Sequence, residues 1–401
     1  MTQNGRLTLV QDRAPAFPAP DLPASTLGHG AEQLLVELQA RGMRFKDPRG
    51  PGLSRRAGAG PSDHKAVRAL GHTLMVPIFT EAAEQSPFEA RVEPDGTAHL
   101  YKDGQPVLSL AFPQTPRFYA LSTADGVPYH KLATLHADDV LATTVLQNCT
   151  RYGRQETACK FCGIGRSLNA KSTIAQKSPA QLAEVAEAAV RLDGVKHMVL
   201  TTGTPPGPDR GARLLSECAA AIRGRVDLPL QAQCEPPEDF AWFERLHTSG
   251  VVTLGMHLEA VTESVRRRVL PGKAEVPIGR YLNAFESAVA VFGRGQVTTY
   301  ILAGLGDSAD AIVDMSRICA ELGVYPFVVP FVPIAGTPLG SAPPPEPRFV
   351  EPLLQRVAQA IADAGLASAV IKAGCGRCGA CSTLKLREAR PTSLDESRQH
   401  A

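Results

Sequence analysis

The residues best suited to chemistry are two groups of cysteines. Cys149, Cys159 and Cys162 stand in VLATTVLQNCTRYGRQETACKFCGIG, directly after a β-like run from Val140 to Leu146. Cys375, Cys378 and Cys381 stand near the C-terminus in KAGCGRCGACST. Neighbouring thiolates are soft donors that select zinc, copper(I) or an iron–sulfur cluster. A closed zinc site or a fully protein-held [4Fe–4S] cluster takes four ligands, and the first loop supplies three. One iron would then stay open to a small molecule. Structural zinc and ordinary buried thiols are the alternatives for that loop. The C-terminal trio, spaced i, i+3 among glycines, lets the backbone wrap a second iron–sulfur cluster, again with one position open for substrate. Its alternatives are a zinc clip with a fourth ligand from elsewhere, or free thiols.

Such donors need a scaffold, and the chain after Cys162 alternates strands with helices. Ser178-Pro179 with Gln181 forms a capping box opening a helix through Leu192. Strands are expected at His197 to Gly203, Leu230 to Glu235, Val251 to Glu259, Gln296 to Ala303 and Tyr325 to Val332. Helices fall between them near Arg210 to Arg223, Pro237 to Thr248, Ile278 to Phe292 and Ala309 to Leu322. With the run before Cys149 this gives six β/α units, hence an α/β fold with parallel strands in a partial or complete TIM-like barrel. A weaker seventh strand is expected at Ala367 to Lys372. An N-terminal α+β accessory region precedes the barrel. It comprises a helix at Ala31 to Arg41, an Arg-rich lid loop at Arg44 to His64 (Arg44, Lys46, Arg49, Arg55, Arg56), and a β-meander at Phe88 to His136 signalled by three Asp-Gly turns. The division is therefore 1–30 a poorly ordered arm, 31–136 accessory region, 137–340 barrel, and 341–401 a C-terminal helix and Cys-rich tail. Tyr119, Tyr129 and His130 read as packing or surface residues, and Cys234 as a small buried one.

The pair Cys159-Lys-Phe-Cys162, with Phe161 before the last cysteine, resembles the cluster loop of the radical S-adenosylmethionine (SAM) enzymes. Nine residues separate Cys149 from Cys159 where the common pattern has three. The resemblance implies a [4Fe–4S] cluster held by Cys149, Cys159 and Cys162, with SAM on the open iron. It continues at the strand ends. Thr201-Thr202-Gly203-Thr204-Pro205 looks like the segment that meets the SAM amino group, although the acidic residue often found there is absent. Glu259 and Arg268 match lipoyl synthase residues that meet the ribose and carboxylate, with His257 as a neighbour. Gly304 lies in a segment similar to one that passes the adenine in biotin synthase and its relatives. Without the resemblance, Arg266 and Arg267 read as a solvated helix face. The implied activity is reductive cleavage of SAM to a 5′-deoxyadenosyl radical that abstracts hydrogen from a small-molecule substrate, with flavodoxin or ferredoxin as electron donor. The whole chain most resembles a radical SAM group encoded beside nitrilases, which suggests nitrile or cyanide metabolism. A zinc-stabilised binding protein and a non-SAM iron–sulfur electron carrier are the rivals.

Composition sets the outer bounds. At 401 residues with 44% hydrophobic and 20% charged, the chain has ample material for a core. A net charge of +2 gives no electrostatic case for nucleic acid, and no apolar run reaches membrane length. Nine cysteines in clustered spacing, with no apolar stretch in the first ten residues, point to a reducing cytoplasm and to metal ligands rather than disulfides.

Overall fold

Six parallel strands carry the computed structural model, which describes residues 29–46 and 64–388. They are β1 (Val140–Thr144), β2 (His197–Thr201), β3 (Leu230–Gln233), β4 (Val251–Gly255), β5 (Val297–Ala303) and β6 (Val324–Pro330). Each pairs with its neighbours in chain order, and Thr134–His136 adds an antiparallel strand outside β1. Strands β1, β3 and β6 are buried at every position. Burial on both faces is what helical crossovers impose; β6 accordingly reads as a continuous apolar run, whereas β3 carries the buried glutamines Gln231 and Gln233. The result is a curled half-barrel.

Local chemistry sets the crossovers. The Ser178 hydroxyl accepts the Gln181 N–H at 3.2 Å while Gln181 Oε1 accepts the Ser178 N–H at 2.9 Å, closing the expected box at the head of helix Pro179–Asp193. Leu182, Val185, Ala186 and Ala189 recur along that helix and bury its inner face. Helices Ala212–Arg223, Ala241–Thr248, Ile278–Phe292 and Ala309–Glu321 fill the remaining crossovers, and Pro347–Asp363 follows β6. Ser308 caps Ala309–Glu321, accepting from the Ala311 N–H.

The expected seventh strand is absent from its place. Residues Ser368–Val370 form a 3-10 turn, because the Gln296 side chain donates to the Val370 carbonyl and accepts from the Lys372 N–H, taking the groups a ladder would need. The expected meander is shorter than Phe88 to His136. Strands Phe88–Val92, Ala98–Lys102 and Gln105–Leu110 build it, joined to Arg44–Phe45, and the Asp103-Gly104 turn has φ of +50° and +81°. Beyond it the chain turns through 3-10 segments, where Pro113, Pro116 and Pro128 remove ladder donors, and Asp125-Gly126 closes only a local turn. A hairpin, His64–Ala69 with His72–Pro77, went unforeseen. The 1–28 segment and Arg49, Arg55 and Arg56 of the expected lid lie outside the described residues. Tyr119, Tyr129 and His130 pack as expected: Tyr129 is buried, and the Tyr119 hydroxyl accepts the Leu135 N–H at 3.1 Å. Among the described residues no helix is long and apolar enough to cross a membrane.

Candidate active site

Cys149, Cys159 and Cys162 sit on the loop leaving the C-terminal end of β1. That loop is tied down along its length. The Thr150 N–H donates to the Thr204 carbonyl at 2.8 Å, Lys160 N–H to Val269 at 2.8 Å, and Leu339 N–H to Lys160 at 3.0 Å, so segments that follow β2, β4 and β6 all hold it. The Cys162 N–H donates to the Cys159 carbonyl at 3.1 Å, which closes the CKFC turn. The nine-residue spacer thus folds back as a compact loop. Cys159 and Cys162 each lie within electrostatic reach of Cys149 and of Glu259. Burial pushes the Cys162 thiol up to about 11, and Cys159 is raised by burial and then by Glu259. A metal that binds here must therefore displace protons.

Gly203 fits beneath this loop because it has no side chain. A Cβ there would lie 1.9 Å from the Asn148 carbonyl oxygen. Thr204 is buried and donates to Glu235 Oε1 at 2.7 Å, on the polar end of β3. The same oxygen is paired with Arg151, two residues past Cys149, and Glu235 Oε2 is buried without a hydrogen-bond partner among the described residues. A carboxylate oxygen left open beside a thiol-bearing loop suits an ammonium or a hydroxyl of a bound molecule.

Glu259 ends the extended segment after β4 at φ +64°, a left-handed conformation unusual for a side chain of this kind. Two backbone bonds to β5 hold it there, Glu259 N–H to Tyr300 and Leu302 N–H to Glu259, both 2.8 Å. Its carboxylate meets Lys273 Nζ at 2.9 Å. Burial works against the Lys273 charge, but Glu259 more than restores it, and the ammonium is held charged. His257 contacts the Tyr300 ring edge-on and its Nδ1 accepts the Tyr300 N–H at 3.2 Å; burial pushes its pKa to about 3, so it is neutral.

Arg268 is exposed and donates to the Leu305 carbonyl at 3.1 Å, in the loop that contains Gly304. Gly304 has φ +112° and faces Pro345. Asp307 tethers the same loop to the segment after β4, accepting the Val261 and Thr262 N–H groups at 2.9 and 3.1 Å. The arginine run separates by role. Arg266 is fully buried and donates to the carbonyls of Leu258, Lys273 and Val276, contrary to the solvated reading, because three helix and loop ends there need donors. Arg267 stays in solvent. Phe161 lines a cavity of ≈ 290 Å³ that also touches Cys162, Gln147, Tyr300 and Leu302 and reaches Cys381. Cys234 is core, as expected.

Residues 147–319 match the family model described as the Radical SAM superfamily. The segment 147–319 is a radical SAM domain. It is 27% identical over 225 residues to a bacteriochlorophyllide c C-7(1)-hydroxylase of Chlorobaculum limnaeum, covering 50% of this chain and 54% of that protein. It is 26% identical over 132 residues to a probable dual-specificity RNA methyltransferase RlmN of Moorella thermoacetica, covering 31% of this chain and 35% of that protein. The chain thus spans about half, or less, of the curated relatives it matches. Methylornithine synthase (PylB) aligns in structure at a TM-score of 0.45 and 16% identity, over 67% of this chain and 77% of that one. A radical SAM domain indicates an enzyme and implies a [4Fe–4S] cluster and SAM. The cluster loop has the right donors for that group: three tethered thiols with a buried, half-partnered carboxylate beside them. Among the described residues no three His, Cys, Asp or Glu side chains converge as a single ion would require. A cluster asks less, because each thiolate can meet its own iron.

Lys273, Arg151 and the pairing of Glu235 escaped the sequence reading. Glu235 closes the strand expected at Leu230 to Glu235, but its partner stands 84 residues away in sequence.

Proposed function

We propose that this radical SAM enzyme binds SAM over Cys149, Cys159 and Cys162 and acts on a small molecule lodged in the adjoining cavity. When bound, the reduced cluster supplies the electron that splits the sulfur–C5′ bond of SAM, giving methionine and a 5′-deoxyadenosyl radical. The chain's own residues bind and orient. Glu259, paired with Lys273, would accept the ribose hydroxyls, and Glu235 Oε2 the SAM ammonium. Arg268, exposed beside Gly304, can pair with the methionyl carboxylate. Phe161 and Phe331, edge to face at 6.5 Å between centroids, form part of the apolar wall that keeps water from the reacting carbon. The lining, with Leu302, Val329 and Ile334 against Thr144, Gln147 and His64, fits a substrate with an apolar body and a few polar groups.

Cys375, Cys378 and Cys381 are proposed to hold a second iron–sulfur centre. They enter from the opposite, N-terminal end of the barrel: the Gly374 N–H donates to His197 Nδ1 at the start of β2, and Thr253 Oγ1 of β4 donates to the Ala373 carbonyl. The observation that carries the reading is the cavity itself, which is lined by both Cys162 and Cys381. An external one-electron donor such as flavodoxin or ferredoxin would supply the reductant. Anaerobic reconstitution followed by SAM and dithionite tests this. The expected result is 5′-deoxyadenosine; a colourless, zinc-loaded protein that leaves SAM intact would contradict it.

A further inference from the structure

We infer that His136, through Nε2, is the fourth protein ligand of the metal centre built by Cys375, Cys378 and Cys381, which closes that centre to substrate. The inference rests on the reading of those cysteines as a metal centre and goes beyond it. His136 and all three thiols line one cavity of ≈ 180 Å³ inside the barrel. His136 Nε2 stands 3.6 Å from Cys381 Sγ. Two donors that share one tetrahedral ion, with bonds of about 2.3 Å to sulfur and about 2.0 Å to nitrogen, lie about 3.5 Å apart. This one pair stands at that separation, and the other two thiols share the cavity without yet converging as a single ion would require. Imidazole is an established substitute for thiolate on a cluster iron.

The fold delivers this ring deliberately to the site. His136 ends the antiparallel strand beside β1, paired with Val140, and Ala137 follows at φ +52° to reverse the chain within a few residues. On the other side the Ala380 carbonyl is held by the Met75 N–H at 2.8 Å and by Gln39 Nε2 at 2.9 Å, so the Cys378–Cys381 turn is pinned against the accessory region. The neighbouring histidines are engaged elsewhere: His197 Nδ1 accepts from Gly374, and His257 Nδ1 from Tyr300. Gln233 Nε2 donates to Cys375 Sγ at 3.2 Å, the kind of outer contact that orients a ligand. His64 is the rival imidazole, since it lines the adjoining cavity with Cys381 and its Nδ1 has no partner among the described residues.

The test uses the full chain, reconstituted anaerobically with iron and sulfide without SAM, and labelled with ¹⁵N-histidine. Pulsed electron paramagnetic resonance on the reduced protein should show a directly bonded histidine nitrogen. That signal should vanish in His136→Ala and persist in His64→Ala. The same measurement on the Cys149→Ala, Cys159→Ala, Cys162→Ala triple variant assigns the signal to the C-terminal centre; if that variant does not fold, the wild-type and single-variant spectra still decide. A reduced centre without bonded nitrogen, or a nitrogen signal that survives His136→Ala, overturns the inference. If the centre takes zinc and no iron, the iron–sulfur reading falls. X-ray absorption at the zinc edge then decides on His136, three sulfurs and one nitrogen supporting it and four sulfurs or an oxygen overturning it. No bound metal of either kind overturns both.

Discussion

Arg151 and Glu235 form a pair that is more than nine-tenths buried on both sides, within reach of the first thiol of the cluster loop. Removing one partner leaves the other charged in a poor dielectric, and such losses cost about 3–5 kcal/mol. Glu235→Gln should therefore lower stability by about that amount and weaken SAM binding, measured by denaturant unfolding and by titration of the reconstituted protein; unchanged stability would mean the pair is hydrated. Arg268 belongs to another regime, exposed and tied to a carbonyl. Arg268→Ala should leave the fold intact and cost about 1.5–3 kcal/mol of SAM affinity, the range for a hydrogen bond to a charged group. Wild-type affinity in that variant would move the carboxylate clamp elsewhere. At this scale the sequence showed donor types and little of their pairing. The cysteines announced themselves by spacing. Lys273 did not, because nothing local ties a lysine in a short helix to a glutamate fourteen positions earlier.

The elements that carry the site are held by close approaches and by one unusual cation. Gly203→Ala would push a methyl into the Asn148 carbonyl, and since that obstacle is backbone the loop must shift. The expected outcome is a loss of about 1–3 kcal/mol and reduced iron in the barrel centre on reconstitution; full iron loading would show that the loop gives way harmlessly. Lys177, just before the Ser178 cap, is buried and donates to the Thr144 carbonyl at the end of β1. Burial pushes its ammonium down to about 8 from the ordinary 10.5. Between those values the unfolded chain holds a proton that the folded chain has released, so stability rises with pH across that window. Unfolding of wild type and Lys177→Met at about pH 7 and about pH 10 should show the wild type gaining on the variant at the higher pH. A constant difference would contradict the shift. Helices and barrel strands were legible because periodicity and the Ser178 box act locally. The His64–Pro77 hairpin was not, since Leu70-Gly71 turns at φ +51° and +76° without the Asn or Asp that normally signals such a turn.

At the scale of the molecule, the half-barrel leaves a seam between β6 and the Thr134–His136 strand, and two peripheral parts fill it. The accessory region contributes Gln39 and His64, and the C-terminal tail contributes Cys381, to a cavity whose other walls are strand ends and the cluster loop. Thr73 and Arg68 of the hairpin bind Asp138 in the turn before β1, which locks the accessory region to the barrel. This arrangement was beyond the sequence, because it depends on contacts between residues hundreds of positions apart. The alternation of strands and helices, by contrast, made the barrel itself readable. Everything proposed for the site requires that Cys149 joins Cys159 and Cys162 on one cluster despite the long spacer between them. The most direct measurement is 5′-deoxyadenosine formation by reconstituted Cys149→Ala beside the wild type, with SAM and dithionite. The account predicts steady product from the wild type and none from the variant; full activity in Cys149→Ala would contradict it.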